Sequence, residues 1–240
     1  IQNEVVSLTE GLDAYQLGLY WGVGLEARPG EKFGSLVGTT YLRDDQGRML
    51  IDAVGRPRRG PTEVLGSIVP DWTGGVRNSF SYKGINFNFL IDGRKGGDVF
   101  SVTHMFGRYA GVTEESLEGR EEGLLIEGIG PDGNPNTVRV SAQRYNQGLY
   151  GLHEAHVFDG SFIKLREVVL GYDLPTSITS KVKLRGASIN LIGRNLWLIH
   201  SNIPHVDPET AFGADIASQG FEFGALPSTK SWGVNLRLTL

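Results

Sequence analysis

Few side chains in this 240-residue sequence have the types and spacing that catalysis or metal binding requires. His153, Glu154 and His156 bring two imidazoles and a carboxylate close together, but their spacing is not His-Glu-x-x-His, so we expect solvated loop residues. Asp44 and Asp52 lie around a glycine turn that lacks the ligand pattern of a calcium loop, which favours a β-turn. We therefore predict no bound metal.

Other catalytic and cofactor-binding motifs are also missing. No G-x-S-x-G elbow places a nucleophilic serine, and Lys95, Gly96 and Gly97 do not follow the G-x-x-x-x-G-K-[ST] order that cradles phosphate. Without cysteines, disulfides and zinc–sulfur sites are excluded. An acidic cluster could meet a cationic ligand, but such runs more often mark solvated surface: Glu114, Glu115, Glu118, Glu121 and Glu122. We predict no enzymatic activity and no cofactor.

The charge distribution argues against a nucleic-acid partner. The formal net charge is −4, and the only local basic cluster is GRPRRG at residues 55–60. Proteins that bind nucleic acid usually carry a basic patch or stripe that meets the phosphates. We expect no nucleic acid to bind.

The composition indicates many short strands. The chain has 34 glycines and 10 prolines and no long apolar run, which favours turns and strands over packed helices. A helix needs about 20 mostly apolar residues to cross a bilayer, whereas a tilted strand needs about 9 to 11, of which alternate ones face lipid. A helical membrane protein is therefore excluded, and a protein that crosses the membrane with strands is not.

Alternation of apolar and polar residues is clearest at residues 230–240. One face carries Trp232, Val234, Leu236, Leu238 and Leu240, and the other carries Ser231, Gly233, Asn235, Arg237 and Thr239. A period of two places these sets on opposite faces of a strand. A second alternating segment, residues 76–91, is predicted to be a tight hairpin that turns at Lys83 and Gly84.

A third strand pair is predicted at residues 161–172 and 187–198, on either side of a break that contains Pro175. In the first of these strands Lys164 and Arg166 share a face with Val168 and Leu170, which indicates a bulge or a strand end outside the hydrocarbon. Arg194 and Asn195 could face a lumen, but we expect them to brace neighbouring strands.

Long glycine-rich polar stretches separate these pairs, at residues 43–72, 107–160 and 200–229. Short turns that alternate with long loops are typical of outer-membrane barrels. If the chain ends in the periplasm, three aromatic residues lie near the outer rim and two near the inner rim, as in a membrane girdle. They are Phe162, Trp197 and Trp232, and Tyr82 and Tyr172, respectively.

Several ordered strings resemble the C-terminal barrel region of the SusC/RagA family of TonB-dependent outer-membrane transporters. They are VPDWTGGVRNSFSYKG at residues 69–84, LIDGRKGGDVFS at 90–101, LEGREEG at 117–123, SFIKLREVVLGYDLP at 161–175, INLIGRNLW at 189–197, DPE at 207–209 and the final strand. Residues 9–30 match the family less well, and they are assigned to neither strand nor loop. Leu240 stands where barrels of this type more often have an aromatic residue.

The resemblance implies an all-β fold: antiparallel transmembrane β-barrel strands with long extracellular loops. Residues 1–240 would form one domain, the C-terminal segment of a 22-stranded barrel whose plug domain and earlier strands lie elsewhere. The implied function is import of nutrients, glycans or peptides, across the outer membrane, together with a SusD-like surface lipoprotein and with TonB acting through the plug. Outer-membrane lipids and a homodimer of transporter pairs are further implied partners.

Aromatic residues on the predicted loops could stack on substrate rings or contact the partner lipoprotein, although most loop aromatics pack their own loop. The candidates are Trp72, Tyr109, Tyr145, Tyr150 and Phe212. One alternative is a soluble all-β ligand-binding domain of the lectin type, whose strands would alternate in the same way. A small barrel with enzymatic activity in its loops is a third reading, but it needs a catalytic constellation that the sequence does not contain.

Overall fold

The structure, a computed structural model, describes residues 3–240 and consists mostly of β-strands. The strands are β1 Tyr15–Tyr20, β2 Val23–Ala27, β3 Ser35–Tyr41, β4 Arg59–Ser67, β5 Pro70–Tyr82, β6 Ile85–Gly96, β7 Asp98–Ser101, β8 Leu124–Leu125, β9 Arg139–Val140, β10 Val157–Asp159, β11 Phe162–Asp173, β12 Gly186–Ser201, β13 Phe221–Glu222 and β14 Ser231–Thr239. The helices are α1 Val102–Ala110, α2 Ala142–Gly148 and α3 Thr176–Thr179. None of the helices within the described residues is both long and apolar enough to cross a membrane.

The chain folds as two compact units. Unit 1 takes in the chain up to Asp71 together with Gly96–Gly160 and Ile203–Leu226. Unit 2 consists of Trp72–Lys95, Ser161–Asn202 and Pro227–Leu240. The all-β prediction is confirmed, and each unit has its own sheet.

Unit 2 is built on a five-stranded sheet in the order β14-β12-β11-β6-β5. The predicted hairpin is present, because β5 and β6 are joined at Lys83 and Gly84, whose φ angles are +47° and +84°. Positive φ at both central residues is the geometry of a type I′ turn, which matches the twist of paired strands. The predicted strand at the end of the sequence is also present as β14, which pairs with β12.

The register of this sheet aligns residues of like polarity in rows across four strands, from β6 through β11 and β12 to β14. Three rows are largely apolar: Ile85–Tyr172–Ile189–Leu236, Phe87–Leu170–Leu191–Val234 and Phe89–Val168–Gly193–Trp232. The row between the first two is Asn86–Gly171–Asn190–Asn235. Because successive residues of a strand point to opposite faces, one face of the sheet carries the apolar rows and the other carries the amides.

A bulge in β11 explains the imperfect alternation of its sequence. The pairing register shifts between Leu165 and Glu167 on both sides of the strand. Relative to β6, Arg166 is an extra residue, whereas β12 places two residues, Asn195 and Leu196, opposite it. One inserted residue returns Val168 and Leu170 to the apolar face while Lys164 stays on the opposite one. The predicted bulge is confirmed.

The aromatic residues lie at the predicted ends of the sheet. Trp197 pairs with Leu165 and Trp232 with Gly193 at one end, and Tyr172 pairs with Ile85 beside the hairpin turn at the other. Phe162 differs, because its side chain is buried and lies beneath the cationic groups of Arg94 and Lys164. It occupies the predicted end of the sheet but is packed beneath cations, so it does not belong to an exposed aromatic girdle.

Unit 1 contains most of the long stretches between the predicted strand pairs, and they form a packed fold. Its sheets run β1-β2-β3-β4 and β10-β7-β13, in which β13 lies parallel to β7. A hydrophobic core joins these sheets to α1 through Val23, Leu25, Leu36, Phe100, Val102, Met105 and Phe221. Residues 9–30, which the sequence pattern left unassigned, supply the β1–β2 hairpin and two of these core side chains.

Two successive turns in unit 1 repeat the same hydrogen bonds eight residues apart. Asp44 accepts from the backbone N–H of Arg48 (3.0 Å) and pairs with its guanidinium (2.7 Å). Asp52 accepts from the backbone N–H of Arg56 (2.8 Å) and pairs with its guanidinium (3.0 Å). Both aspartates cap their own turn, which confirms the β-turn expected here.

Removing the Phe100 side chain should test whether unit 1 depends on its core. Phe100 is fully buried and packs edge-on against Phe221 and His153. Phe100→Ala should lower the free energy of unfolding of unit 1 by about 3–5 kcal/mol, measured as faster amide hydrogen exchange in β2, β3 and β7. Phe106→Ala is the control, since Phe106 is 37% exposed and should cost much less. Equal losses would contradict the assigned core.

Candidate functional site

The polar face of the five-stranded sheet is held by an ion-pair network centred on the β11 bulge. The Arg166 guanidinium donates to both Asp92 carboxylate oxygens at 2.9–3.2 Å and to the Asn195 side-chain oxygen at 3.0 Å. The Asn195 amide donates in turn to the Thr229 carbonyl at 3.2 Å. A planar guanidinium can bridge several acceptors at once, so one side chain joins β6, β11 and β12.

A second bridge lies one residue further along β11. Glu167 accepts from Arg77 at 3.1 Å and from Arg194 at 3.2 Å. The carboxylate therefore joins β11 to β5 and to β12. These contacts support the bracing role expected for Arg194 and Asn195.

A separate cleft of about 630 Å³ lies within unit 1. Its volume falls in the range of small-molecule sites, roughly 300–1,000 Å³. It is lined by Asp52, Arg56, Pro57, Arg58, Arg59, Tyr109, Arg144, Tyr145, Gln147 and Gly148. A neighbouring cavity of about 450 Å³ shares Tyr109 and Gln147 with it.

Capped helices hold the residues of this cleft. Ser101 caps α1 by accepting from the backbone N–H of His104 (3.1 Å), and Ser141 caps α2 by accepting from that of Arg144 (3.4 Å). Side-chain oxygens at this position satisfy amides that the helix leaves free. Arg108 on α1 donates to Asn146 on α2 (2.8 Å) and lies over the Tyr145 ring, 5.5 Å from its centroid. The two helices are thus fixed against each other at the cleft.

The arginines of the cleft differ in their partners. Arg56 is paired with Asp52 in its turn. The side chains of Arg58, Arg59 and Arg144 are exposed and, within residues 3–240, form no ion pair or hydrogen bond. Three guanidinium groups without carboxylate partners therefore line one concave surface.

The structure brings together three of the five predicted ligand-binding residues. Tyr109 and Tyr145 line the cleft, and the Tyr150 ring packs edge-on against Tyr109 at 5.5 Å. Phe212 packs against Tyr20 and Trp21 at 5.1 and 5.4 Å. Trp72 is half-exposed on β5 in unit 2. Sequence reasoning missed the arginines as site residues, although the GRPRRG cluster was the available signal.

The expectation that His153 and His156 are solvated loop residues is wrong. His153 is 8% exposed and accepts from the Thr39 backbone N–H, while His156 is fully buried. His156 Nε2 lies 3.0 Å from the Leu149 carbonyl, and its Nδ1 lies 3.0 Å from Nδ1 of buried His104. The segment folds as a 3-10 turn packed into unit 1, a tertiary contact that local spacing does not reveal.

The hydrogen bonds fix the tautomers of the buried histidine pair. Because the Leu149 carbonyl only accepts, His156 Nε2 carries the proton, and its Nδ1 then accepts from His104 Nδ1. His104 Nε2 lies 3.7 Å from Glu115, whose carboxylate accepts from His205 Nε2 at 2.9 Å. Among the described residues, no group of three or more His, Asp or Glu side chains is arranged to hold a metal ion.

Comparisons with known proteins give one consistent answer. No family model matches the chain. The TonB-dependent receptor P26 of Formosa agariphila is 29% identical over 214 residues, which cover 85% of this chain and 20% of the receptor. TonB-dependent receptor P3 of the same organism is 23% identical over 193 residues, or 78% of this chain and 18% of the receptor.

Solved structures agree. A chain in the structure of the RagAB peptide transporter matches 98% of this chain over 26% of its own length, with a TM-score of 0.65 and 20% identity. RagA is SusC-like, and the relatives are named as receptors and a transporter, not as enzymes. In sequence and fold the chain matches a segment of SusC/RagA-type TonB-dependent transporters. The family prediction is confirmed, and the chain spans about a fifth of the receptors and a quarter of the RagAB chain.

The buried histidines should make unit 1 sensitive to mild acid. Burial lowers the pKa of His104 to about 4 and that of His156 to about 3. In the unfolded chain each titrates near 6.5, so below that pH the unfolded state binds more protons and the folded state loses stability. We expect the protection factors of the α1 amides, which are corrected for the pH dependence of intrinsic exchange, to fall as the pH falls from 7 to 5.

A matched pair of variants separates this effect from stability that is lost in acid through other titrating groups. His104→Gln/His156→Gln should be less stable at pH 7 but should show a flatter pH dependence between 7 and 5. His200→Gln, at an exposed histidine on β12, should leave that dependence unchanged. A wild-type slope in the double variant would refute the assignment.

Proposed function

We propose that this chain forms wall strands and a ligand-binding region of an outer-membrane nutrient importer. The observation that carries the proposal is the pair of sheet faces in unit 2. Row residues on the apolar face remain open to the surroundings: Leu170 is 49% exposed, Leu191 45% and Val234 69%. In a bilayer such a face would contact lipid, while the opposite, ion-paired face would meet the polar lumen.

The edges of the same sheet support this role. Strands β5 and β14 are its two outer strands, and β14 is exposed along its whole length. Open edges are not viable in hydrocarbon, because each unpaired backbone group there costs several kcal/mol. We infer that both edges pair with further strands of a 22-stranded barrel, of which residues 1–240 form the C-terminal segment.

The partners follow from the same reasoning. Structural neighbours of the chain include the RagAB peptide transporter, which supports a SusD-like surface lipoprotein as the partner of this protein. Energy would come from TonB through a plug domain, and the cargo would be a glycan or a peptide. Homodimers of transporter pairs, contact with outer-membrane lipids and the absence of an enzymatic role belong to the same proposal.

Within this scheme unit 1 takes the ligand-binding role. Its cleft holds Tyr109 and Tyr145, with Tyr150 packed behind them. We propose that these three residues contribute to the substrate surface and that Phe212 serves local packing. Trp72 on β5 remains a candidate for contact with substrate or with the partner lipoprotein.

The alternative, a soluble lectin-type domain, requires that protein and not lipid cover the apolar face. Sandwich domains cover one face of each sheet with a second sheet and leave the other to water. The apolar rows would then be covered by protein, and a charge in their centre would disturb a core.

A lysine placed on each face of β14 tests lipid contact. Val234 lies in the middle apolar row, and its neighbour Asn235 lies on the opposite face. In the full-length transporter, Val234→Lys should cost about 2–4 kcal/mol near the bilayer midplane and reduce folded, heat-modifiable protein in the outer membrane. Asn235→Lys should assemble nearly as well as wild type. Equal assembly of the two variants would refute the lipid-facing assignment.

A further inference from the structure

We propose that the unit 1 cleft binds a negatively charged oligosaccharide, one that carries carboxylates as uronic acids do. The inference rests on the proposed import function and narrows its substrate class. It is carried by the unpaired guanidinium groups of Arg58, Arg59 and Arg144 in a cleft that also holds Tyr109 and Gln147.

Three arginines of the cleft lack the carboxylate partners that several other arginines of unit 1 have. The protein has 27 acidic and 23 basic residues, so carboxylates are not scarce. Other arginines of unit 1 use them: Arg28 pairs with Glu26, Arg43 with Glu154 and Arg48 with Asp44. Like charges held together without counter-charges repel one another, and an anionic ligand would relieve that repulsion.

The repeated turns show that the local fold does not require these arginines. Eight residues before Arg58 and Arg59 stand Leu50 and Ile51, which follow the first turn in the same order. Both turns form the same aspartate-capped structure. Since the backbone accommodates aliphatic residues at the equivalent positions, the turn does not need the two guanidiniums for its fold. They can therefore bind a ligand.

Two glycines lie close to arginine side chains of the cleft. A Cβ atom on Gly151 would lie 2.6 Å from Arg59 Cζ, and one on Gly148 would lie 3.4 Å from Arg56 Cδ. The end of α2 and the residues just after it therefore approach the arginines closely because glycines stand at positions 148 and 151. This contact sets the position of the Arg59 guanidinium.

The lining favours an acidic sugar over an acidic peptide. Pro57 is the only aliphatic side chain among the lining residues, whereas a peptide with apolar side chains needs apolar subsites. Pyranose rings present C–H faces that can pack on the half-exposed Tyr109 ring and hydroxyls that can bond to Gln147. Guanidinium forks match planar carboxylates with two parallel hydrogen bonds.

Equilibrium binding to the purified full-length transporter tests the proposal without requiring transport. The probes are tetragalacturonate, a neutral galactose tetrasaccharide of the same length, and tetraglutamate. We expect tetragalacturonate alone to bind, and more weakly as NaCl is raised, because salt screens exposed charges. Arg58→Gln/Arg59→Gln should weaken its binding at least tenfold, because both charge-assisted contacts to the sugar carboxylates are lost.

Two further variants make the result specific. Arg48→Gln removes one positive charge at the equivalent turn outside the cleft and should leave the Kd unchanged. Gly151→Ala keeps every charge but displaces the Arg59 guanidinium, and it should weaken binding by less than the double variant does. Hydrogen exchange in α1 and α2 confirms that each variant is folded.

Several outcomes would overturn the inference. They are no binding of tetragalacturonate, binding that the double variant leaves intact, and equal binding of the neutral tetrasaccharide. Equal binding of tetraglutamate, lost in the double variant, would reassign the cleft to acidic peptides. Any of these can occur while Val234→Lys still blocks assembly, so this inference can fail while the proposed importer role stands.

Discussion

The pairing register of β11 with β6 and β12 is the constraint on which unit 2 depends. Since side chains alternate between faces, a slip of one residue would carry Leu170 to the polar face and Gly171 to the apolar one. Gly171 reinforces this register, because a Cβ there would collide with the Asn190 side-chain oxygen. The bulge at Arg166 completes it by placing the guanidinium beside Asp92. The apolar rows and the ion-pair network therefore both result from the pairing register of β11 with its two neighbours.

Arginine serves two purposes in this chain. In unit 2, Arg77 and Arg194 share the Glu167 carboxylate and tie strands together, so their charges are satisfied within the protein. In unit 1, Arg58 and Arg59 stand in a concave surface without such partners. Arginine is therefore structural in unit 2, where Glu167 faces it, whereas we propose a recognition role for Arg58 and Arg59.

The parts of the fold that the sequence predicts are those encoded by local patterns. Strands of unit 2 have a period of two over many residues, and Lys83 and Gly84 form the type I′ turn between two of them, so strands, hairpin and bulge were all predictable. Unit 1 was not, because its strands are short and its core joins Val23 to Phe221 across nearly the whole chain. The cleft is predictable only in part. The tyrosines are predictable as aromatic residues of a loop, whereas the basic cluster is recognisable as part of a cleft only once tertiary contacts place it beside α2. His156 was predicted to be solvated but is fully buried, because its neighbours in the sequence carry no pattern that indicates burial.

The parallel pairing of β13 with β7 has a consequence for biogenesis. Phe221 lies opposite Phe100, and Glu222 accepts hydrogen bonds from Ser101 and Thr103 at 2.7 Å. Contacts between residues about 120 positions apart form late, because the intervening chain must first be brought together. Unit 1 therefore cannot complete its core while residues near 221 are still being synthesised or secreted. A polypeptide that stays unfolded until that point can still pass through a secretion channel. Unit 1 would then complete its folding after secretion.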